Sequence, residues 1–175
     1  MTSQSDPQQP TRLLIFGNSG SGKSTLAKRY ARAAKAAHLD LDTLAWSAPA
    51  VREDLAVSVK RIHDFVGEHE QWVIEGCYAS LIEVAAAHAR ELVFLNPGTA
   101  TCQENCRNRP WEPHKYESKK EQDQNLAMLL EWVAQYETRS DEFSLSAHRK
   151  LFEEFDRKKI EIRSNREAER FAPHN

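Results

Sequence analysis

The chain has almost no charge imbalance: 24 Lys and Arg stand against 26 Asp and Glu in 175 residues, a formal net charge of −2. It therefore lacks the sequence-wide basic footprint of a protein that binds DNA or RNA through the phosphate backbone, and a nucleic-acid partner is disfavoured. No apolar run approaches the length needed to span a bilayer, so no membrane partner is expected. Residues Met1 to Thr11 are polar and rich in Pro and Gln. With neither a basic stretch nor an apolar core, they predict a flexible tail and not a secretion signal. Only three cysteines are present, an odd number without extracellular cues, which suits a reducing cytoplasm. Internal repeats and low-complexity blocks are missing, as are a Ser-His-Asp order and a nucleophilic cysteine motif. One domain over residues 12–171, with a short tail at 172–175, accounts for the length.

Against these absences stands one complete motif. Gly17-Asn18-Ser19-Gly20-Ser21-Gly22-Lys23-Ser24 is a G-x-x-x-x-G-K-[ST] phosphate-binding loop. It follows the apolar run Leu13 to Phe16, which reads as a buried strand, and opens into a helical stretch from Thr25 to Arg32. Such a loop wraps a polyphosphate in backbone N–H groups, and the helix adds its unpaired first-turn amides and positive dipole end. Gly17, Ser19, Gly20, Ser21, Gly22, Lys23, Ser24 and Thr25 are the expected nucleotide-binding residues. Lys23 reaches the β and γ phosphates, and the Ser24 hydroxyl serves a bridging Mg²⁺.

Strands and helices alternate along the rest of the chain, the pattern of a parallel sheet covered on both faces. Further strands are expected at 37–42, 71–76, 91–95 and 159–162, and helices at 53–68, 78–90, up to about 108, 125–137 and 144–156. Residues 109–123 are charged, contain Pro110 and Pro113, and lack an apolar stripe; they predict a mobile, solvent-facing loop. Ligands of parallel sheets sit at the carboxyl ends of the strands. Those ends carry the phosphate loop, Asp40 and Asp42, Glu75-Gly76, and a helix leading to Arg107 and Arg109.

In this order the segments resemble the adenylate kinase and shikimate kinase branch of P-loop phosphotransferases. Within it, H-L-D-x-D-x-L-x-W and W-V-I-E-G-C-Y look like the kinase-like proteins labelled as DNA topology modulation proteins. The likeness covers nearly the whole chain and implies a three-layer α/β/α P-loop NTPase fold with a five-stranded parallel sheet and a helical or loop lid. It also implies an ATP- and Mg²⁺-dependent kinase acting on a nucleotide or another small acceptor. In shikimate kinases a D-x-D pair ends the second strand, one acid ordering water around Mg²⁺ and the other holding an acceptor hydroxyl. Asp40 and Asp42 match that spacing, and strand alternation would put both carboxylates on one face; capping of the next element is the alternative for either acid. Asp42 is the expected acceptor-binding residue and a possible base.

Glu75-Gly76 resembles the D-G that ends the third strand of nucleoside monophosphate kinases, where the acid lies near the metal and the glycine lets backbone approach the acceptor. Here the acid is longer by one methylene. Arg107 and Arg109 fall where the family's lid begins, where arginines close over the transferring phosphate; the alternative is a helix end favoured by the dipole. Arg52, placed at the start of the helix after strand two, is expected to hold an acceptor anion. Arg139-Ser140-Asp141 faintly resembles the R-x-D segment that follows adenylate kinase lids; Arg163 to Arg166 follow the last strand, where such kinases pack around the adenine, and a plain strand-to-helix turn with Ser164 or Asn165 as N-cap is the alternative. Cys102, Cys106 and His114 lack the paired C-x-x-C turns of a zinc lid, so buried helix thiols and no zinc are expected. The competing class is a nucleotide-binding regulatory ATPase with no small-molecule acceptor.

Overall fold

The computed structural model describes residues 9–48, 51–113 and 116–172. Residues 1–8 of the expected N-terminal tail, Pro49, His114 and residues 173–175 lie outside them. In chain order the elements are β1 (Arg12–Gly17), α1 (Lys23–Ala34), β2 (Ala37–Asp40), α2 (Asp42–Ala45), β3 (Trp46–Ala48), β4 (Val51–Arg52), α3 (Leu55–Glu68), β5 (Trp72–Gly76), α4 (Ala79–Ala86), β6 (Glu91–Leu95), α5 (Thr99–Arg107), α6 (Lys119–Ala134), a 3₁₀ turn (Gln135–Glu137), α7 (Leu145–Glu154), β7 (Lys158–Ile162) and α8 (Asn165–Arg170).

Five strands pair in parallel in the order β2-β5-β1-β6-β7. The middle strand, β1, is covered on both faces, which is why its sequence is a continuous apolar run and not an alternation. Alternate residues feed two cores. Leu14, Phe16, Ile74 and Phe94 meet Ile62 of α3, Leu81 of α4 and Phe152 of α7. Leu13, Ile15, Val73 and Val93 meet Leu26 and Tyr30 of α1 and Phe171 beyond α8. The result is the expected three-layer α/β/α arrangement. A small third cluster, Cys102, Cys106 and Val133, joins α5 to α6.

Three expectations are corrected. The second strand stops at Asp40, because the Asp40 carboxylate accepts the N–H of Asp42 at 2.9 Å and its carbonyl accepts the Thr43 hydroxyl at 2.6 Å. That local turn replaces the ladder, so Asp42 opens the short helix α2 and does not share a strand face with Asp40. Arg52 does not begin a helix: it lies on β4, which pairs antiparallel with β3, and Asp54 caps α3 by accepting from the Ala56 N–H. Such a small ladder is marginal alone and is held here by tertiary contacts.

The third correction concerns the expected loop at 109–123, which ends early because α6 begins at Lys119. Ser118 accepts the N–H of Glu121 while Glu121 accepts that of Glu117, at 3.2 and 2.9 Å. The reciprocal capping makes up for the missing apolar stripe. Gln122 then ties the loop to the helix, donating to the Pro110 carbonyl and accepting from the Glu112 N–H.

Candidate active site at the carboxyl edge of the sheet

The phosphate loop leaves β1 and turns into α1. Gly20 and Gly22 have φ of 77° and 93°, the left-handed region that a residue with a Cβ avoids. At Gly20 a Cβ would also stand 2.3 Å from the Cys102 carbonyl oxygen and 2.6 Å from the Cys106 sulfur, so α5 forms the floor of the loop. At Gly22 a Cβ would enter open space, room that backbone amides need to approach a phosphate. Gly22 caps α1 without a side chain and the first turn holds no acid, whereas α3, α6, α7 and α8 are capped by Asp54, Ser118, Ser144 and Ser164. The Ser21 hydroxyl is buried without a partner among the described residues, and Lys23 folds back to donate to the Asn18 carbonyl at 2.8 Å. Open room, uncapped amides, a spare hydroxyl and a nearby cation fit a polyphosphate and the Mg²⁺ that accompanies it.

The loop is braced from outside. Asn18 donates from its side chain to the Val133 carbonyl near the end of α6, at 3.1 Å. Asn105 of α5 donates to the Gly20 carbonyl at 2.8 Å and exchanges amide contacts with Asn165 at the start of α8. The turn from Arg163 to Arg166 is thereby tied to the loop, with Ser164 capping α8.

Just past the end of β2, Asp42 accepts a 2.7 Å hydrogen bond from the Tyr78 hydroxyl, which itself accepts from the Trp46 indole N–H at 2.9 Å. Burial, and then the charge of Asp42, raise the Tyr78 phenol far above its ordinary range, so it stays a donor. Glu75 is 2% exposed, and its Oε1 faces the His38 Nε2 at 3.8 Å; neither atom has a hydrogen-bond partner among the described residues. Cys77, just past β5, registers the convergence of these groups. Burial pushes its thiol up to about 12; the Lys23 cation opposes this, and Asp42, Glu75 and Asp40 reinforce it. The structure thus gathers Asp40, Asp42 and Glu75 at the ends of β2 and β5, with Lys23 within electrostatic reach of Cys77.

Other expected residues are engaged differently. Gly76 owes its lack of a side chain to packing: a Cβ there would stand 2.8 Å from the Leu41 Cβ. Arg52 pairs with Glu142 at 3.0 Å and lies over the Tyr78 ring at 4.3 Å. Arg107 points to Glu104 at 3.4 Å and is about half exposed. Arg109 pairs with Glu112 at 3.1 Å, with its other terminal nitrogen 3.9 Å from the Cys106 sulfur, beside the floor of the loop. Arg139 pairs with Asp141 at 2.9 Å and lies over Trp132 at 4.3 Å. Cys102 and Cys106 are buried; among the described residues no group of three or more His, Cys, Asp or Glu is placed to hold a metal ion.

Sequence reasoning gave no role to Tyr78, Asn105, Glu142 or His148. Tyr78 was findable, since it lies two residues past the end of a strand. His148 is fully buried, its Nε2–H donating to the Cys77 carbonyl at 2.8 Å and its Nδ1 accepting from the Tyr136 hydroxyl at 2.7 Å. Nothing in the local sequence marks it.

No known protein-family model matches the chain, and no curated protein is similar to it in sequence. Among solved structures, a gluconokinase from Sinorhizobium meliloti 1021 is similar over 91% of this chain and 90% of its own, with TM-score 0.55 and 17% identity. That likeness fixes the architecture. The fold is that of the P-loop kinases. A shikimate kinase from Acinetobacter baumannii, in complex with shikimate, matches 82% of this chain and 92% of its own at TM-score 0.42 and 14% identity. A sugar kinase from Janibacter sp. HTCC2649 matches 87% and 85% at TM-score 0.47 and 12% identity. In this P-loop kinase fold no helix among the described residues is long and apolar enough to cross a membrane.

Proposed function

We propose that the chain is an ATP-dependent phosphotransferase that moves the γ-phosphoryl group to a hydroxyl of a nucleotide or another small molecule. On this reading residues 12–171 act as one unit in a reducing cytoplasm, without a nucleic-acid or membrane partner, and belong near the DNA topology modulation kinase-like proteins. What supports the reading is the 2.7 Å hydrogen bond by which the Tyr78 hydroxyl orients Asp42, an acid whose charge acts on the same buried thiol, Cys77, as that of Lys23. A switch that only hydrolyses nucleotide has no need of an acid held for an acceptor.

The roles follow from the placement. The loop amides from Gly17 to Thr25 and the α1 dipole hold the phosphates, and Lys23 exchanges the Asn18 carbonyl for a phosphate oxygen. Ser24, and Asp40 through water, would hold Mg²⁺, which supplies neutralising charge on the phosphates. Asp42 accepts the proton of the acceptor hydroxyl as its oxygen bonds to the γ-phosphorus; the bond from that phosphorus to the β–γ bridging oxygen breaks, and ADP leaves with the electron pair. Arg109, beside the loop floor, and Arg107 at the lid's start put positive charge over the phosphates once they exchange Glu112 and Glu104 for phosphate oxygens, and the closed lid excludes water. Glu75, buried behind the cluster, acts on its electrostatics and does not touch the acceptor.

The test follows ADP release with ATP and Mg²⁺ while nucleosides, nucleoside monophosphates, sugars and hydroxylated acids are supplied. Turnover is expected to rise well above background hydrolysis with the right acceptor, because acceptor binding closes the lid on water. Stimulation by a protein or nucleic acid, and by no small molecule, would establish the regulatory ATPase instead.

A further inference from the structure

We infer that the acceptor is an uncharged, hydroxylated ring compound and not one that carries a phosphate or carboxylate, an inference that rests on the phosphotransferase reading above. Four aromatic rings run in a continuous ribbon from Asp42 to the phosphate loop. Trp46 is bonded to Tyr78 through its indole N–H, Tyr78 meets Phe143 edge-on at 5.2 Å, and Phe143 meets Trp132 at 5.5 Å. The residue after Trp132 is Val133, whose carbonyl holds Asn18 of the loop. An acceptor reaching from Asp42 toward the γ-phosphate lies along this ribbon.

Two guanidinium groups cover the ribbon, and both are already neutralised. Arg52 lies over Tyr78, and Arg139 over Trp132, each at 4.3 Å. Glu142 pairs with Arg52, and its other oxygen is fixed by the Ser80 hydroxyl at 2.6 Å and the Ser80 N–H at 3.3 Å. Asp141 pairs with Arg139. The two cations and two carboxylates cancel, so the wall presents flat planes without a net charge to offer. An anionic acceptor would have to displace a carboxylate that is held from two sides, or sit beside it. An uncharged ring is not opposed: its apolar face stacks on guanidinium planes and on Trp46, which is 43% exposed, and its hydroxyls serve Asp42.

Matched pairs test this directly: adenosine against AMP, and glucose against glucuronate. Each is titrated with ATP and Mg²⁺ while ADP release is followed, and separately into protein holding a non-hydrolysable ATP analogue while binding is measured by calorimetry. In at least one pair the uncharged member should bind and stimulate turnover about tenfold better than its anionic counterpart. The Glu142→Gln variant, which keeps the shape but frees the charge of Arg52, should shift that ratio about tenfold toward the anion. Preference for the anion in both pairs, or no binding of either uncharged compound at millimolar concentration, overturns the inference. Preferential binding of an uncharged member with no ADP release from any compound would remove the kinase reading and support the uncharged ligand.

Discussion

The phosphate loop is eight consecutive residues spanning the end of one strand and the start of one helix, whereas the proposed acceptor wall takes Asp42 from α2, Trp46 from β3, Tyr78 from just before α4, Trp132 from α6 and Arg139 from the segment beyond. The loop works through its backbone: left-handed turns at Gly20 and Gly22 and uncapped amides at the start of α1. The wall works through side chains, several held by partners far along the chain: Asp42 and Trp46 by Tyr78, and Arg52 by Glu142. A site made of backbone is written locally, and its floor, Cys102 and Cys106, and its braces, Asn105 and Val133, come from elsewhere. A site made of side chains exists only once the sheet has formed, so the same fold can keep its nucleotide half while changing its acceptor half.

Four measurements would break or sharpen this contrast. The largest effect is expected from Lys23→Ala, which should lower ATP turnover by about 10²–10³-fold. Its melting temperature should move little, since one half-buried bond to Asn18 is all that is lost; a near-normal rate would remove the nucleotide half from the chemistry. Asp42→Asn should come next, reducing acceptor-dependent turnover by about 10²-fold while ATP affinity stays within about twofold. Equal weakening of both would move Asp42 from the acceptor side to the metal.

The third measurement is of stability against pH. Burial, with a smaller push from Lys23, lowers the His148 pKa from 6.5 to about 4 in the folded protein. The neutral ring is therefore the folded form, and its contribution is complete above pH 6.5 and lost progressively as the pH falls toward 4, by at most about 3 kcal/mol. Because His148 clasps α7 to the Cys77 carbonyl behind the wall, acid should loosen the acceptor half before the loop. Denaturant midpoints should fall between pH 7 and pH 5 in the wild type and fall less in His148→Gln; equal slopes would reject this.

Tyr78→Phe carries the smallest effect. It leaves the Trp46 indole N–H without its acceptor and Asp42 without that donor, so kcat should fall about tenfold, with indole emission altered and ATP affinity unchanged. A change confined to stability would make Tyr78 a packing residue only.

Parts of the acceptor half were legible as residue types and not as geometry. The D-x-D spacing drew attention to Asp40 and Asp42, yet the pair does not share a strand face, because an acid at a strand end is as able to turn the backbone as to continue it. Gly76 looked like a place for close backbone approach, and its neighbour proved to be the Leu41 side chain. Arg52 was noticed as a cation, but its charge is met by Glu142, 90 residues away. The early start of α6 was readable in Ser118-Lys119-Lys120-Glu121, a capping pattern that outweighed the lack of an apolar stripe.

By itself the sequence determined the phosphate loop, the five strands and the parallel order of helices between them, because periodicity and glycine placement act over a few neighbouring residues. Only the tertiary structure decided that Tyr78 holds Asp42 across 36 residues, that Glu142 neutralises Arg52, and that the end of α6 rests on the loop through Asn18. Those contacts depend on which strand ends lie side by side in the β2-β5-β1 order, and that adjacency is set by how two hydrophobic cores close over the sheet.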